Sequence, residues 1–183
     1  MCLSWYSAGL YRELRYILSS ESDENNEKEA EINMETVQNT VANICKQVHP
    51  KCVVCSSANT RGLHMEFDID DDGGVRATFP CDDSYQGYPG IIHGGVISSI
   101  LDGVMCHCMF ARGQATVTVE INIRFRHPVV TGQVAMVSAR IIQASHPLYL
   151  LEAEIIQERQ VKVTAKGKYY DQPKLVDSDE KVL

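Results

Sequence analysis

The chain has 183 residues, 44% hydrophobic and 22% charged, which suits one ordinary domain with short extensions and not two full domains. The length allows a core that needs no metal or disulfide staple; 17 basic against 24 acidic residues give a formal charge of −7, which argues against general nucleic-acid binding. No uncharged apolar run approaches the ~18–20 residues of a membrane span, no secretory signal opens the sequence, and seven cysteines, an odd number, read as reduced thiols inside a cell.

Residues 4–18 are aromatic, with Leu10, Leu14, Ile17 and Leu18 at helical spacing. They read as a surface helix or partner-binding arm, with a weak mitochondrial-type targeting helix as the alternative, because Arg12 and Arg15 are opposed only by Glu13. Residues 19–31 are polar and acidic and read as a disordered linker, so 1–33 form an N-terminal extension and the expected location is cytoplasmic, or mitochondrial if that helix is a targeting signal. Met34, Val37, Val41, Ile44, Cys45 and Val48 recur at spacings of three and four and predict an amphipathic helix, closed by Pro50, that leads into the domain over 34–50.

The domain proper is expected over 51–172, with a tail at 173–183. Leu63, Met65, Phe67 and Ile69 alternate, Gly73-Gly74 turns the chain, and Val75, Ala77 and Phe79 alternate again, which reads as a hairpin. Residues 81–92 read as a loop rich in Gly, Pro and Tyr. A helix with a wide apolar stripe follows over 94–111. Long strands are predicted over 115–126, 133–144, 148–157 and 161–170, with His146-Pro147 at a turn. In the first of these, Val117, Val119, Ile121, Ile123 and Phe125 share one face, and Thr116, Thr118, Glu120, Asn122, Arg124 and Arg126 the other. One central helix on an antiparallel sheet is an α+β arrangement.

The chemistry concentrates in 89–111, where Asp102 is the only formally charged residue. Off the apolar stripe the helix carries only Gly95, Ser98, Ser99, Asp102, Gly103 and Cys106, so another backbone is expected close by, with the helix covered on every side and Asp102 buried or nearly so. A buried lone carboxylate is costly unless it is hydrogen-bonded or used; a structural Asp holding a nearby loop is the plainer alternative. His93-Gly94-Gly95 opens the helix without a Ser, Thr or Asp cap, so its first amides are expected to be free. Free amides at the positive end of a helix suit an oxygen that gains negative charge, although a Gly-Gly pair also serves a simple tight turn.

The stretch YQGYPGIIHGGVISSILD, residues 85–102, resembles the signature of hotdog-fold acyl-CoA thioesterases of the phenylacetate-degradation type, in which a His-Gly-Gly opens the central helix and an acid follows nine positions after the His. CVVCSSANTRGLHMEF (52–67) and INIRFRHPV (121–129) resemble flanking blocks of the same family, and the resemblance covers roughly residues 50–171. It implies a hotdog fold, an antiparallel sheet wrapped around one long central helix, with two chains pairing through the sheet edge as a dimer or a dimer of dimers. It implies hydrolysis of an acyl-CoA thioester without a cofactor. The Gly94 and Gly95 amides would polarise the carbonyl, Asp102 would activate water or attack directly, Thr118 would help hold the water, and His93 would orient the loop. Many relatives carry Asn or Gln six residues before the His; here that position is Gly87, beside Gln86. A hotdog protein that binds acyl-CoA without cleaving it, as sensor or scaffold, is the rival reading, and a hydratase ranks last. The two glycines lie some eight residues from Asp102, about 10–12 Å along one helix, too far to serve one carbonyl, so each site is expected to be shared by two chains.

Arg124 and Arg126 are candidates for the phosphates of coenzyme A, or else form a solvated strand face. Cys52-x-x-Cys55 with His49 and His64 nearby suggests zinc, but a second Cys pair is missing and no metal is expected. Cys106-His107-Cys108 reads as core.

Overall fold

The computed structural model describes residues 34–70 and 72–176. The readings of 1–33 and of the last seven residues lie outside them. In chain order the elements are helix α1 (Met34–Val48), strands β1 (Asp68–Ile69), β2 (Val75–Pro80), β3 (Gln86–Tyr88) and β4 (Ile91–Ile92), helix α2 (Gly94–Phe110), and strands β5 (Thr116–Phe125), β6 (Val134–Ser145), β7 (Leu148–Gln157) and β8 (Gln160–Asp171). Every pairing is antiparallel, and the main sheet has six strands in the order β1-β2-β6-β7-β8-β5. This is the hotdog arrangement expected: a sheet curled around one long helix.

The alternation in the sequence explains the layering. In β2, Val75, Ala77 and Phe79 are buried and their neighbours exposed; in β7, Tyr149, Leu151, Ala153 and Ile155 point to the core. Against this face lies α2, whose residues from Gly103 to Phe110 are all buried. Burying such side chains contributes roughly 1.5–3 kcal/mol each, so α2 is the main organiser of the core. Helix α1 covers α2 from the other side through Val41 and Ile44. Buried Gln157 clamps the backbone of Val130, donating from Nε2 to its carbonyl at 2.9 Å and accepting its N–H at 2.9 Å. None of the described helices is long and apolar enough to cross a membrane.

Two local expectations are corrected. The run 63–69 is not one hairpin strand. Only Asp68–Ile69 pairs with β2, while Leu63 and Met65 donate their N–H groups to the carbonyls of Val53 and Val54. The alternation is satisfied, with Met65 and Phe67 buried, but its partner is the Cys52–Cys55 segment. The loop 81–92 holds a short 3-10 turn and the β3–β4 hairpin, closed by Gly90 at φ 75°. Strands of two and three residues are too short for alternation to register.

Candidate active site

Asp102 sits midway along α2. Its Oδ1 accepts two hydrogen bonds, from the Thr118 hydroxyl at 2.7 Å and from the Tyr169 phenol at 2.9 Å. Asp102 is half-buried within the single chain, not fully buried as expected, because the small face at Gly95, Ser98 and Ser99 is itself only partly covered. The hydroxyls of Ser98 and Ser99 turn back onto the carbonyls of Gly94 and Gly95. Gly103 does meet a close neighbour: a Cβ there would lie 2.6 Å from Cγ1 of Val54.

Thr118 reaches Asp102 because β5 does not keep one alternation. Between Thr118 and Glu120 the register against β8 shifts by one residue, leaving Val119 as a bulge. Thr118 stands opposite Tyr169 and Glu120 opposite Lys168, and facing residues of an antiparallel pair share a side. Thr118 therefore faces the helix with Tyr169, while Glu120 lies outside and pairs with Lys168 at 2.6 Å. The expected common face of Thr118, Glu120, Asn122, Arg124 and Arg126 is corrected accordingly. Bulges characteristically re-aim a side chain in this way.

Tyr169 was not singled out in the sequence. It is fully buried, and burial, followed by the nearby Cys106 and Asp102, pushes its phenol far above the ordinary tyrosine range. It therefore remains a donor to Asp102. The available signal is a buried phenol, which needs a partner for its hydroxyl.

The start of α2 is capped, contrary to expectation. His93 is the N-cap, and its Nδ1 accepts the Gly95 N–H at 2.9 Å. An unprotonated imidazole nitrogen replaces the missing hydroxyl or carboxylate. Ile97 makes the first backbone bond, to the His93 carbonyl, which leaves the Gly94 and Val96 amides without intrahelical acceptors. Gly87 packs directly on His93; a Cβ there would lie 2.9 Å from the ring and 3.1 Å from its Cα, so the position has no room for the Asn or Gln found there in the family the sequence resembles. Gln86 accepts the Gly90 N–H instead. A cleft of about 440 Å³ opens beside this helix start, bordered by His93, Gly94, Ile97, Phe125 and Arg126. Asp102 is not among its walls.

Arg124 and Arg126 are both exposed on the outer side of the sheet, in a groove shared with Glu152, Glu154 and Lys166. Of the two, Arg126 also borders the cleft at the start of α2. A separate cluster lies under α1: the ligand atoms of His49, Cys52 and Cys55 fall within 4.8 Å of one another, and Cys45 Sγ lies 3.4 Å from Nε2 of His107. His64 turns away and contacts the Asn59 carbonyl.

Residues 89–164 match the family model described as the thioesterase superfamily. The match covers 76 of the 183 residues. Solved structures share this chain's fold at low identity. The PaaI protein of the phenylacetic acid degradation operon of E. coli is 16% identical, with a TM-score of 0.63 over 76% of this chain and 95% of that one. A hypothetical thioesterase of Streptococcus pneumoniae TIGR4, solved with coenzyme A, is 19% identical, with a TM-score of 0.56 over 59% and 88%. The smu.793 protein of Streptococcus mutans UA159, solved with acetyl CoA, is 18% identical, with a TM-score of 0.56 over 59% and 88%. The S. pneumoniae protein has also been solved with an aspartate and, sixteen residues later, a threonine each replaced by alanine. Sixteen residues also separate Asp102 from Thr118.

Proposed function

We propose that this chain is a thioesterase of the superfamily it matches, and that it hydrolyses an acyl-CoA to the free acid and coenzyme A at sites shared between two copies. The observation that carries the reading is the anchored carboxylate of Asp102. Two hydroxyl donors take Oδ1 and neither takes Oδ2, which fixes the carboxylate's orientation and leaves one oxygen for chemistry. As general base, Asp102 would take a proton from water while the hydroxide attacks the thioester carbonyl; collapse of the tetrahedral intermediate expels the coenzyme A thiolate, which regains a proton. As nucleophile, it would form an acyl anhydride that water then cleaves. Donors at the start of α2 would stabilise the carbonyl oxygen in either route, with the Gly94 N–H available and the Gly95 N–H released by a turn of the His93 ring.

Sharing of the site follows from distance. Gly94 and Asp102 are eight residues apart on one helix, about 12 Å, while one carbonyl needs its donors and its attacking group within ~3 Å of its oxygen and carbon. A second copy is favoured by β5, a ten-residue strand at the open edge of the sheet, since long unpaired edges invite pairing. Arg126, at the mouth of the cleft, is the better placed of the two arginines for a coenzyme A phosphate.

A non-catalytic acyl-CoA-binding protein is the second reading, and the His93–Gly95 bond favours it, because a donor satisfied within the chain is not offered to a substrate. The test is thiol release from short, long and aromatic acyl-CoAs. Wild type should turn over at least one, and Asp102→Asn should lose ~10²–10⁴ in rate while still binding. Binding without thiol release by wild type establishes the second reading. Mixing Asp102→Asn with Gly95→Val should restore activity in hybrid dimers. Folded, mixed and inactive hybrids refute the shared site.

A further inference from the structure

We propose that His49, Cys52 and Cys55, with Cys45 as the fourth ligand, form a structural binding site for a zinc-class divalent cation. These groups take no part in the proposed hydrolysis. They lie at the end of α1 and in the segment that follows it.

Three features of the cluster point to a metal. The first is distance. The three ligand atoms of His49, Cys52 and Cys55 lie within 4.8 Å of one another, and Cys55 Sγ is 3.6 Å from His49 Nδ1. A zinc tetrahedron built from bonds of about 2.0–2.3 Å has ligand–ligand edges of roughly 3.5–3.8 Å. One edge already has that length, and the other two edges of this trio need close by only about 1 Å. The second feature is the local backbone. The Val54 N–H donates to Cys52 Sγ at 3.4 Å. An amide given to the first sulfur of a Cys-x-x-Cys turn orients that sulfur and suits a ligating thiolate.

The third feature is the supporting shell. Cys45 is hydrogen-bonded to Cys55 and lies against His107 Nε2. Buried His107 uses Nδ1 on the Gly103 carbonyl at 2.8 Å. A carbonyl only accepts, so Nδ1 carries the proton and, in the metal-free chain, Nε2 accepts the Cys45 S–H, which places that sulfur beside the cluster before its proton leaves on binding. Thiolate and imidazole donors suit zinc-class ions in preference to magnesium or calcium. Binding converts the cysteine thiols to thiolates and releases their protons to solvent. The sequence pattern Cys45-x3-His49-x2-Cys52-x2-Cys55 lacks a second Cys-x-x-Cys pair, because helix α1 supplies the remaining sulfur.

The ion would pin the end of α1 and the 52–55 turn to α2. Val54 in that turn packs on Gly103, next to Asp102. The test uses the whole chain, purified without chelator. Wild type should carry about one zinc per chain, and Cys52→Ser and Cys55→Ser less than about one-tenth of that. Cobalt(II) added to reduced, metal-free wild type should give a thiolate-to-cobalt charge-transfer absorption, a readout that does not depend on a variant folding. Cys45→Ser should weaken cobalt binding about tenfold or more. The proposal is overturned if wild type holds no zinc and shows no charge-transfer band with cobalt. Full zinc content in a Cys52→Ser/Cys55→Ser double variant overturns it equally, and unchanged cobalt affinity in Cys45→Ser removes Cys45 from the ligand set.

Discussion

Tyr169→Phe is the sharpest probe of the carboxylate arrangement, because it deletes one oxygen and keeps the ring that fills the core. In wild type the phenol donates to Oδ1 of Asp102 at 2.9 Å, beside the Thr118 hydroxyl at 2.7 Å on the same oxygen. A hydrogen bond to a charged group contributes roughly 1.5–3 kcal/mol. Asp102 is only half-buried, so water can replace part of that bond, and the net loss of stability should be about 1 kcal/mol. The rate should suffer more than the stability, because a carboxylate held by Thr118 alone can rotate about its remaining bond. A loss of one to two kcal/mol of positioning corresponds to about a 5–30-fold fall in kcat, with KM little changed. The assay is thiol release by wild type, Tyr169→Phe, Thr118→Val and the double variant, with urea unfolding run alongside. If both donors orient one oxygen, the double variant should lose less, or more, than the sum of the single losses, since neighbouring anchors couple. A fully active, fully stable Tyr169→Phe would refute the argument that Tyr169 positions Asp102.

Burial raises the Tyr169 phenol above its ordinary 10.0, so its contribution to stability is complete below that pH and is lost as pH rises through and above it. The urea midpoint should fall more steeply between about pH 9.5 and 11 in wild type than in Tyr169→Phe, and equal slopes would contradict this. Gly167→Ala should lower both stability and kcat, because a Cβ there would lie 2.6 Å from the Tyr169 ring and 3.2 Å from Met105 Sδ, at a cost of roughly 1–3 kcal/mol; a neutral urea midpoint would show that the ring has room to move. Gln157→Leu strands both the N–H and the carbonyl of Val130, and should cost about 2–4 kcal/mol by urea titration. Burial pushes the Cys108 thiol up to about 12 and Cys106 higher still, so in reduced, metal-free protein both should resist iodoacetamide until global unfolding, while Cys52 reacts at neutral pH; peptide mapping of the alkylated chain reads this directly.

The sequence disclosed those parts of the molecule in which period and burial coincide. Helix α2, helix α1 and strands β2, β6, β7 and β8 lie where their apolar spacing placed them, because each has one face on a common core. The partner of 63–67 was not legible, since alternation reports which side chains are inside and not which backbone lies alongside. Of the candidate site, the meeting of Asp102 with Thr118 appeared only as a family likeness, and Tyr169 not at all, because 67 residues separate it from Asp102. The cap at His93 was missed for a chemical reason: imidazole accepts through a nitrogen whose availability depends on the tautomer. Cys45 was missed because its sulfur comes from a helix face, outside the Cys-x-x-Cys turn it completes.

The unpaired Val119 makes the site depend on strand register as well as on composition. Thr118 lies inside because the strand gains one residue between it and Glu120. Deleting Val119 would close the ladder without a step and leave Thr118 opposite Tyr169. The harmful change is the opposite one, in which Val119 stays and is drawn into a regular ladder. If the C-terminal half keeps its registration, which Ile121, Ile123 and the Glu120–Lys168 pair favour, then Val119 would stand opposite Tyr169 and Thr118 opposite Tyr170. Thr118 would swing to the solvent side and Val119 would take its place over Asp102. Such a protein would still contain Asp102, Thr118 and Tyr169, yet the carboxylate would lose a donor. Comparison of related chains by residue identity alone would count that site as intact. The quantity to compare is whether the strand carries its bulge between this threonine and the residue that faces Lys168.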